Sequence, residues 1–173
     1  MEKSIQKRNT NGIQLLTTSL IALGFMFFLV SCNNDDNAME SWEPEVGRLK
    51  TAVEPLKDFG AAQTAGYDIQ ATEYRTQMGY HFLNGALLDD KFEVEKPEVL
   101  IFVNDPAGKK QLVAVEYGIP IQDIDNPPPP PEGYTGSDDV WKIDTEFMLW
   151  TLHVWVVMEN PEGIFAPMNP MLP

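Results

Sequence analysis

The sequence is poor in cysteine and histidine. Among its 173 residues there is one cysteine, and there are two histidines. A single cysteine cannot form a disulfide within the chain, and it excludes both redox catalysis by a cysteine pair and metal sites built from several thiolates. The folded part of the chain must therefore be held together by burial of apolar side chains, without covalent cross-links.

Basic residues are also scarce. The 12 lysines and arginines face 26 aspartates and glutamates, which gives a formal net charge of −14. An acidic surface repels nucleic-acid phosphates and anionic lipid headgroups, so we expect no nucleic acid among the partners. Glycine-rich phosphate loops, HExxH and GxSxG are absent as well. The sequence therefore favours a non-catalytic role without deciding the question.

Residues 1–31 have the features of a bacterial export signal. Three basic residues near the start are followed by an apolar stretch that is densest at Leu20–Val30. This stretch is shorter than the roughly 20 apolar residues that cross a bilayer, and it fits the apolar part of a cleaved signal. It ends in LVSC, which resembles the lipobox of bacterial lipoproteins. The resemblance implies that the signal peptide is cleaved before Cys32 and that the Cys32 thiol carries lipid.

Lipid on Cys32 would make the membrane the first expected partner, because two or three acyl chains anchor a protein stably. Cleavage removes three basic residues and one acidic residue, so the mature chain has 142 residues and a net charge of −16. Residues 32–45 are polar and acidic, and we interpret them as a flexible tether. Their NNDD start is similar to the leaders of lipoproteins from Bacteroidota-type bacteria. That similarity implies a Gram-negative-type envelope, with the protein at the outer membrane, facing the periplasm or displayed on the cell surface.

Residues 46–173 are predicted to form a single α+β domain. We expect an N-terminal helical segment packed on an antiparallel sheet of four or more strands, with long proline-rich loops. Apolar residues recur at helical spacing from Val46 to Ala65, with a break at Pro55. Pro127–Pro131 predicts a stiff surface loop rather than a docking epitope.

The remainder of the domain predicts strands separated by turns. The second and third strands should form a hairpin, and the last, which is apolar throughout, should be a central strand buried on both faces. The predicted strands are Met78–Asn84, Val99–Val103, Gln111–Ile119 and Phe147–Met158.

Several segments after Gly66 together resemble a family of exported bacterial proteins of unknown activity. The chain departs from the family pattern at Gly85, where a proline is expected, and in a shorter late loop. The resemblance therefore implies export and a shared domain, but no activity. The segments are MGYHFxN from Met78, KPEVL from Lys96, LVAVEY from Leu112, LHxW from Leu152 and NPxGxFAPxNP from Asn160.

Two histidines and one glutamate are the candidate site residues. His81 and His153 lie inside apolar, aromatic segments, and Glu116 lies in a predicted strand with two apolar faces. Strict alternation places Glu116 on one face with Leu112 and Ala114. An unpaired buried carboxylate costs several kcal/mol, so we predict that Glu116 faces one or both histidines across the sheet.

Three interpretations of this cluster stay open. The favoured one is a satisfied polar network in the core. The second is a 2-His-1-carboxylate site for a divalent transition metal, such as zinc or non-haem iron. The third is acid–base chemistry without a metal, for which no nucleophile accompanies the cluster. Met78, Met168 and Met171 offer soft ligands for copper(I), but scattered methionines are more often packing residues.

The sequence thus predicts a membrane-anchored lipoprotein of the cell envelope that acts as a non-catalytic binding or structural module. The alternative is a metal-binding or metal-dependent protein that uses His81, Glu116 and His153. No other cofactor is predicted, and the protein or small-molecule partner stays open.

Overall fold

The computed structural model describes residues 41–173. Cys32, the predicted signal peptide and most of the predicted tether lie outside the described residues. None of the helices in the described part has the length and apolar character that a membrane crossing requires. In chain order the elements are α1 (Glu43–Val53), a 3-10 helix (Glu54–Lys57), α2 (Phe59–Thr64), β1 (Ile69–Gln70), β2 (Tyr80–Leu83), β3 (Val99–Asn104), β4 (Lys110–Pro120), β5 (Lys142–Asp144) and β6 (Leu149–Val154).

The helical segment is interrupted where the sequence predicts a break. Pro55 cannot donate a helical hydrogen bond, and it lies in the first turn of the short 3-10 helix. The carboxylate of Asp58 then accepts a hydrogen bond from the Ala61 N–H at 2.9 Å, which caps the start of α2. α1 begins at Glu43, so the last residues of the segment interpreted as a tether are helical. Pro44 in the first turn favours this earlier start.

The six strands form one antiparallel sheet in the order β1-β2-β3-β4-β6-β5. β3 and β4 form the predicted hairpin, and β6 pairs with β4 on one side and β5 on the other. The α+β class is confirmed, with most of the regular structure in the sheet. β4 and β5 run in the same direction with β6 between them, and residues 121–141 connect them without helix or strand.

The two faces of the sheet differ in what covers them. The helices pack on one face, where Leu49 and Val53 join a large core with Phe102 and Tyr117. The opposite face has a smaller apolar cluster. His81 lies on this second face, since it is the cross-strand partner of the fully buried Ile101.

A β-bulge in β4 changes the predicted alternation. Opposite the Ile101–Phe102 step of β3, β4 contains an extra residue, Val113. Leu112 therefore turns towards the helices, while Ala114 and Glu116 share the second face. The expectation that Leu112 lies on the same face as Glu116 is wrong. Side chains alternate between the two faces of a strand, and the extra residue shifts this alternation by one for the residues that precede it.

Candidate metal centre

His81, Glu116 and His153 meet on the face of the sheet opposite to the helices. They lie on β2, β4 and β6, and Glu116 is the cross-strand partner of His153. Nε2 of His81 lies 3.7 Å from Oε2 of Glu116, and Nε2 of His153 lies 3.7 Å from Oε1. One ligand atom from each of the three residues lies within 4.8 Å of the others. The prediction that Glu116 faces one or both histidines is confirmed, and the carboxylate lies next to both.

These separations differ from those of a hydrogen-bonded network. Hydrogen bonds of this type need about 2.7–3.2 Å between nitrogen and oxygen. Two ligand atoms at tetrahedral positions on one zinc ion, each with a bond of about 2.1 Å, are about 3.4 Å apart. The 3.7 Å distances in the cluster are close to that spacing. The two imidazole rings are perpendicular, with centroids 5.9 Å apart.

The two histidines differ in their remaining contacts. Only 6 % of the His153 side chain is exposed, and its Nε2 has no hydrogen-bond partner among the described residues. A buried polar atom in this state costs about 1–3 kcal/mol. In contrast, Nδ1 of His81 lies 3.0 Å from Oγ1 of Thr72, which fixes the ring with Nε2 towards Glu116. A polar partner on the second ring nitrogen is typical of metal-binding histidines.

Burial sets the protonation of the cluster. Desolvation lowers the pKa of His153 from 6.5 to about 4. It also lowers the pKa of His81, against the opposing effect of Glu116. Both rings are therefore neutral at pH 7, which is the form of imidazole that binds a metal. Burial raises the pKa of Glu116, so a proton competes with any cation at this carboxylate.

Two cavities adjoin the cluster, and Glu116 lines both. The first, of about 380 Å³, also borders on His81, and the second, of about 460 Å³, borders on His153. Arg75 and Asp144 line both cavities. Any ion held by the three side chains would therefore be close to two spaces large enough for small molecules.

Arg75 is fixed between two carboxylates near the turn from β5 to β6. Its Nη1 lies 3.3 Å from Oδ2 of Asp144, and its Nη2 lies 2.6 Å from Oε2 of Glu146. The guanidinium also lies over the ring of Phe147, at 5.6 Å from its centroid. Its charge contributes to lowering the pKa of both histidines. Arg75 and Thr72 could not be predicted as site residues from the sequence, because they lie in a polar segment with no apolar pattern around them.

Only two of the three methionines considered as copper ligands lie beside the cluster. Met78 and Met168 line the cavity that borders on His153. Met171 is 61 % exposed and does not line it.

Comparison with other proteins adds no assignment to this site. No protein-family model matches the chain, and neither a curated protein nor a solved structure matches it. The site is therefore interpreted from its own geometry, and the resemblance drawn from the sequence motifs stays a prediction.

Proposed function

We propose that the protein binds a divalent transition metal ion through His81, Glu116 and His153. The observation that carries the proposal is the convergence of three buried donor side chains whose ligand atoms lie within 4.8 Å of one another. Two imidazole nitrogens and one carboxylate oxygen are the ligand set of open zinc sites and of non-haem iron sites. Such a set leaves coordination positions for water or a small molecule.

Two further observations favour a metal over a polar network without one. At 3.7 Å, neither histidine forms a hydrogen bond with Glu116. In addition, Nε2 of His153 lacks a hydrogen-bond partner within residues 41–173, and a coordinated ion would satisfy it. The carboxylate in the donor set favours a divalent ion over copper(I), which prefers soft sulfur ligands.

The proposal is tested by the metal content of the purified protein. After exposure to Zn²⁺, Fe²⁺, Mn²⁺ or Co²⁺ and removal of free ion, elemental analysis should find close to one equivalent of ion per chain for at least one metal. Glu116→Gln and His153→Ala should each lower the affinity at least about tenfold, since each variant removes a ligand. Glu132→Gln, at an exposed carboxylate outside the cluster, is the matched control and should bind like the wild type.

Absence of uptake of all four ions by the wild type would contradict the proposal. So would uptake that Glu116→Gln and His153→Ala leave unchanged. Circular dichroism of each variant separates loss of a ligand from loss of the fold.

We also propose that this metal-binding domain is held at the cell envelope of a Gram-negative-type bacterium by lipid on Cys32. Support comes from the basic start, the short apolar stretch and the LVSC sequence at the end of residues 1–31. The acidic mature chain makes electrostatic attachment to anionic lipid unfavourable, so acyl chains would supply the attachment. The domain then acts as an anchored binding module.

A further inference from the structure

The geometry points to a second ligand: we infer that the cavity beside His81 and Glu116 binds a small carboxylic acid with an apolar body, whose carboxylate completes the coordination of the metal ion. This inference rests on the proposed metal site. We call this space of about 380 Å³ the apolar cavity.

The wall of the apolar cavity is suited to a hydrocarbon group. Its apolar side chains include Leu83, Leu88, Val99 and Leu149. Leu83 and Val99 are cross-strand partners on β2 and β3, close to the metal ligands on the same sheet. A volume of about 380 Å³ lies at the small end of the range for ligand pockets, about 300–1,000 Å³. The ligand is therefore a compact molecule, whose apolar part rests on the sheet beside the ion.

The charge of the wall selects an anion only when the metal is bound. The formal charges of Glu116, Asp144 and Arg75, the charged side chains that line the apolar cavity, add up to −1, and Glu146, which pairs with Arg75, adds one more negative charge beside it. A divalent ion adds two positive charges at the three ligands, next to the position of the carboxylate. A carboxylate therefore binds the metal-loaded protein and is repelled by the metal-free protein.

Arg75 supplies a partner for the second carboxylate oxygen. A guanidinium group has five N–H donors. The hydrogen bonds from Arg75 to Asp144 and Glu146 use Nη1 and Nη2. Further N–H groups of Arg75 are therefore left for a ligand, and the two acidic partners together with Phe147 hold the side chain in place at the cavity.

The test uses Co²⁺-loaded protein, because the visible absorption of Co²⁺ reports its ligands. Acetate, butyrate and hexanoate are titrated, and binding is followed by absorption and by calorimetry. Each added methylene should raise the affinity about fourfold while the chain fits the cavity. Hexanol, which lacks the carboxylate, should leave the Co²⁺ spectrum unchanged. Metal-free protein should bind hexanoate at least tenfold more weakly than loaded protein.

Variants locate the site of binding. Leu83→Phe fills part of the apolar cavity and should lower the affinity for hexanoate about tenfold, with little effect on the affinity for acetate. Ile143→Phe is its matched control, because Ile143 lines only the other cavity. Val99→Ile adds only one methylene to the wall of the apolar cavity, and it replaces Leu83→Phe in this test if the Leu83→Phe variant does not fold. Arg75→Gln should lower the affinity for all three acids by a similar factor. Arg48→Gln, on α1 at the other face of the sheet, should leave the affinity for all three acids unchanged.

The outcomes separate this inference from the metal site itself. Co²⁺ uptake with a spectrum that no carboxylate changes overturns the inference and leaves the metal site intact. The inference is also overturned if the affinity does not depend on the length of the alkyl chain of the acid, or if Leu83→Phe and Val99→Ile leave the affinity for hexanoate unchanged. A wild type that binds no Co²⁺ or other ion overturns the metal site and the inference together.

Discussion

At the scale of single residues, Glu98 introduces a carboxylate into the core apart from the candidate metal centre. Its residue exposure is 2 %, and its Oε2 accepts a hydrogen bond from the Gly118 N–H at 3.0 Å. Burial raises the pKa of Glu98 from 4.5 to about 7. Burial and the proximity of Glu98 raise the pKa of Tyr67 to about 12. Glu98 therefore changes its charge near neutral pH inside the folded domain.

This predicts a dependence of stability on pH that a single substitution removes. With the pKa of Glu98 raised from 4.5 to about 7, the folded state holds a proton that the unfolded state releases between these pH values. The stability from this proton is fully present below pH 4.5 and is lost as pH rises through about 7, a change of about 3 kcal/mol. Glu98→Gln cannot ionise, so its free energy of unfolding should rise relative to the wild type between pH 5 and 8.

Urea denaturation at a series of pH values measures this difference. Glu159→Gln, at an exposed carboxylate, is the control and should follow the wild type at every pH. Parallel curves for Glu98→Gln and the wild type would show that the buried carboxyl does not titrate in this range.

At the scale of elements, the turn before β2 depends on Gly79. Its backbone has φ +113°, and a Cβ at this position would lie 2.7 Å from the backbone oxygen of Phe102 on β3. The Gly79 N–H also donates to the Arg75 oxygen at 2.8 Å. The turn thus brings Arg75 close to the strand that carries His81, and a side chain at Gly79 would push β2 away from β3.

We expect Gly79→Ala to destabilise the domain by about 3 kcal/mol, through backbone strain and the contact with Phe102 together. Gly163 provides a matched control, because its φ is +112° but a Cβ there would have no atom within 4 Å. Gly163→Ala should therefore cost only the backbone strain, about 1–2 kcal/mol. Equal losses in urea denaturation would mean that β2 adjusts to the added methyl group at no cost.

The strands predicted from the sequence are those that contain apolar or aromatic runs. β3, β4 and β6 overlap apolar runs, and β2 lies within the short aromatic run from Met78 to Asn84; strand pairing buries these runs on one or both faces. The edge strands β1 and β5 contain only two and three residues, and the one apolar side chain in each, Ile69 and Ile143, is exposed. The local sequence therefore has no strand pattern at these positions. They become strands through pairing with a neighbour.

The residues of the candidate site also divide into those that an apolar run makes predictable and those that only tertiary contacts place. His81, Glu116 and His153 could be predicted because a polar residue inside an apolar run must find a partner. Glu98 lies between Pro97 and the first residue of β3, outside the apolar run, and its burial depends on tertiary contacts. Asp144 lies in a polar edge strand, and only the pairing of β5 with β6 brings it to the cluster. Long-range contacts decide these positions, and local sequence does not encode them.

At the scale of the whole molecule, the anchor can be tested independently of the folded domain. We expect Cys32→Ser to abolish incorporation of a fatty-acid analogue and to leave the precursor uncleaved at this position, because lipid is attached to the cysteine thiol before cleavage. Metabolic labelling and the mass of the protein on a gel report both effects. Ser31→Ala, which keeps the cysteine and a small residue before it, is the control. Equal labelling of wild type and Cys32→Ser would contradict the lipoprotein interpretation.

The position of β6 between β4 and β5 governs the order in which the domain can assemble. A chain that emerges N-terminus first presents β5 before β6, yet within the sheet β5 pairs only with β6. β5 therefore has no place to dock until the last strand arrives, and β6 also carries His153. The candidate metal centre is consequently the last part of the sheet to be completed during synthesis or translocation. A chain that stops before Leu149 holds two of the three candidate ligands and lacks one edge of its sheet, so uptake of the proposed ion would require synthesis at least through β6.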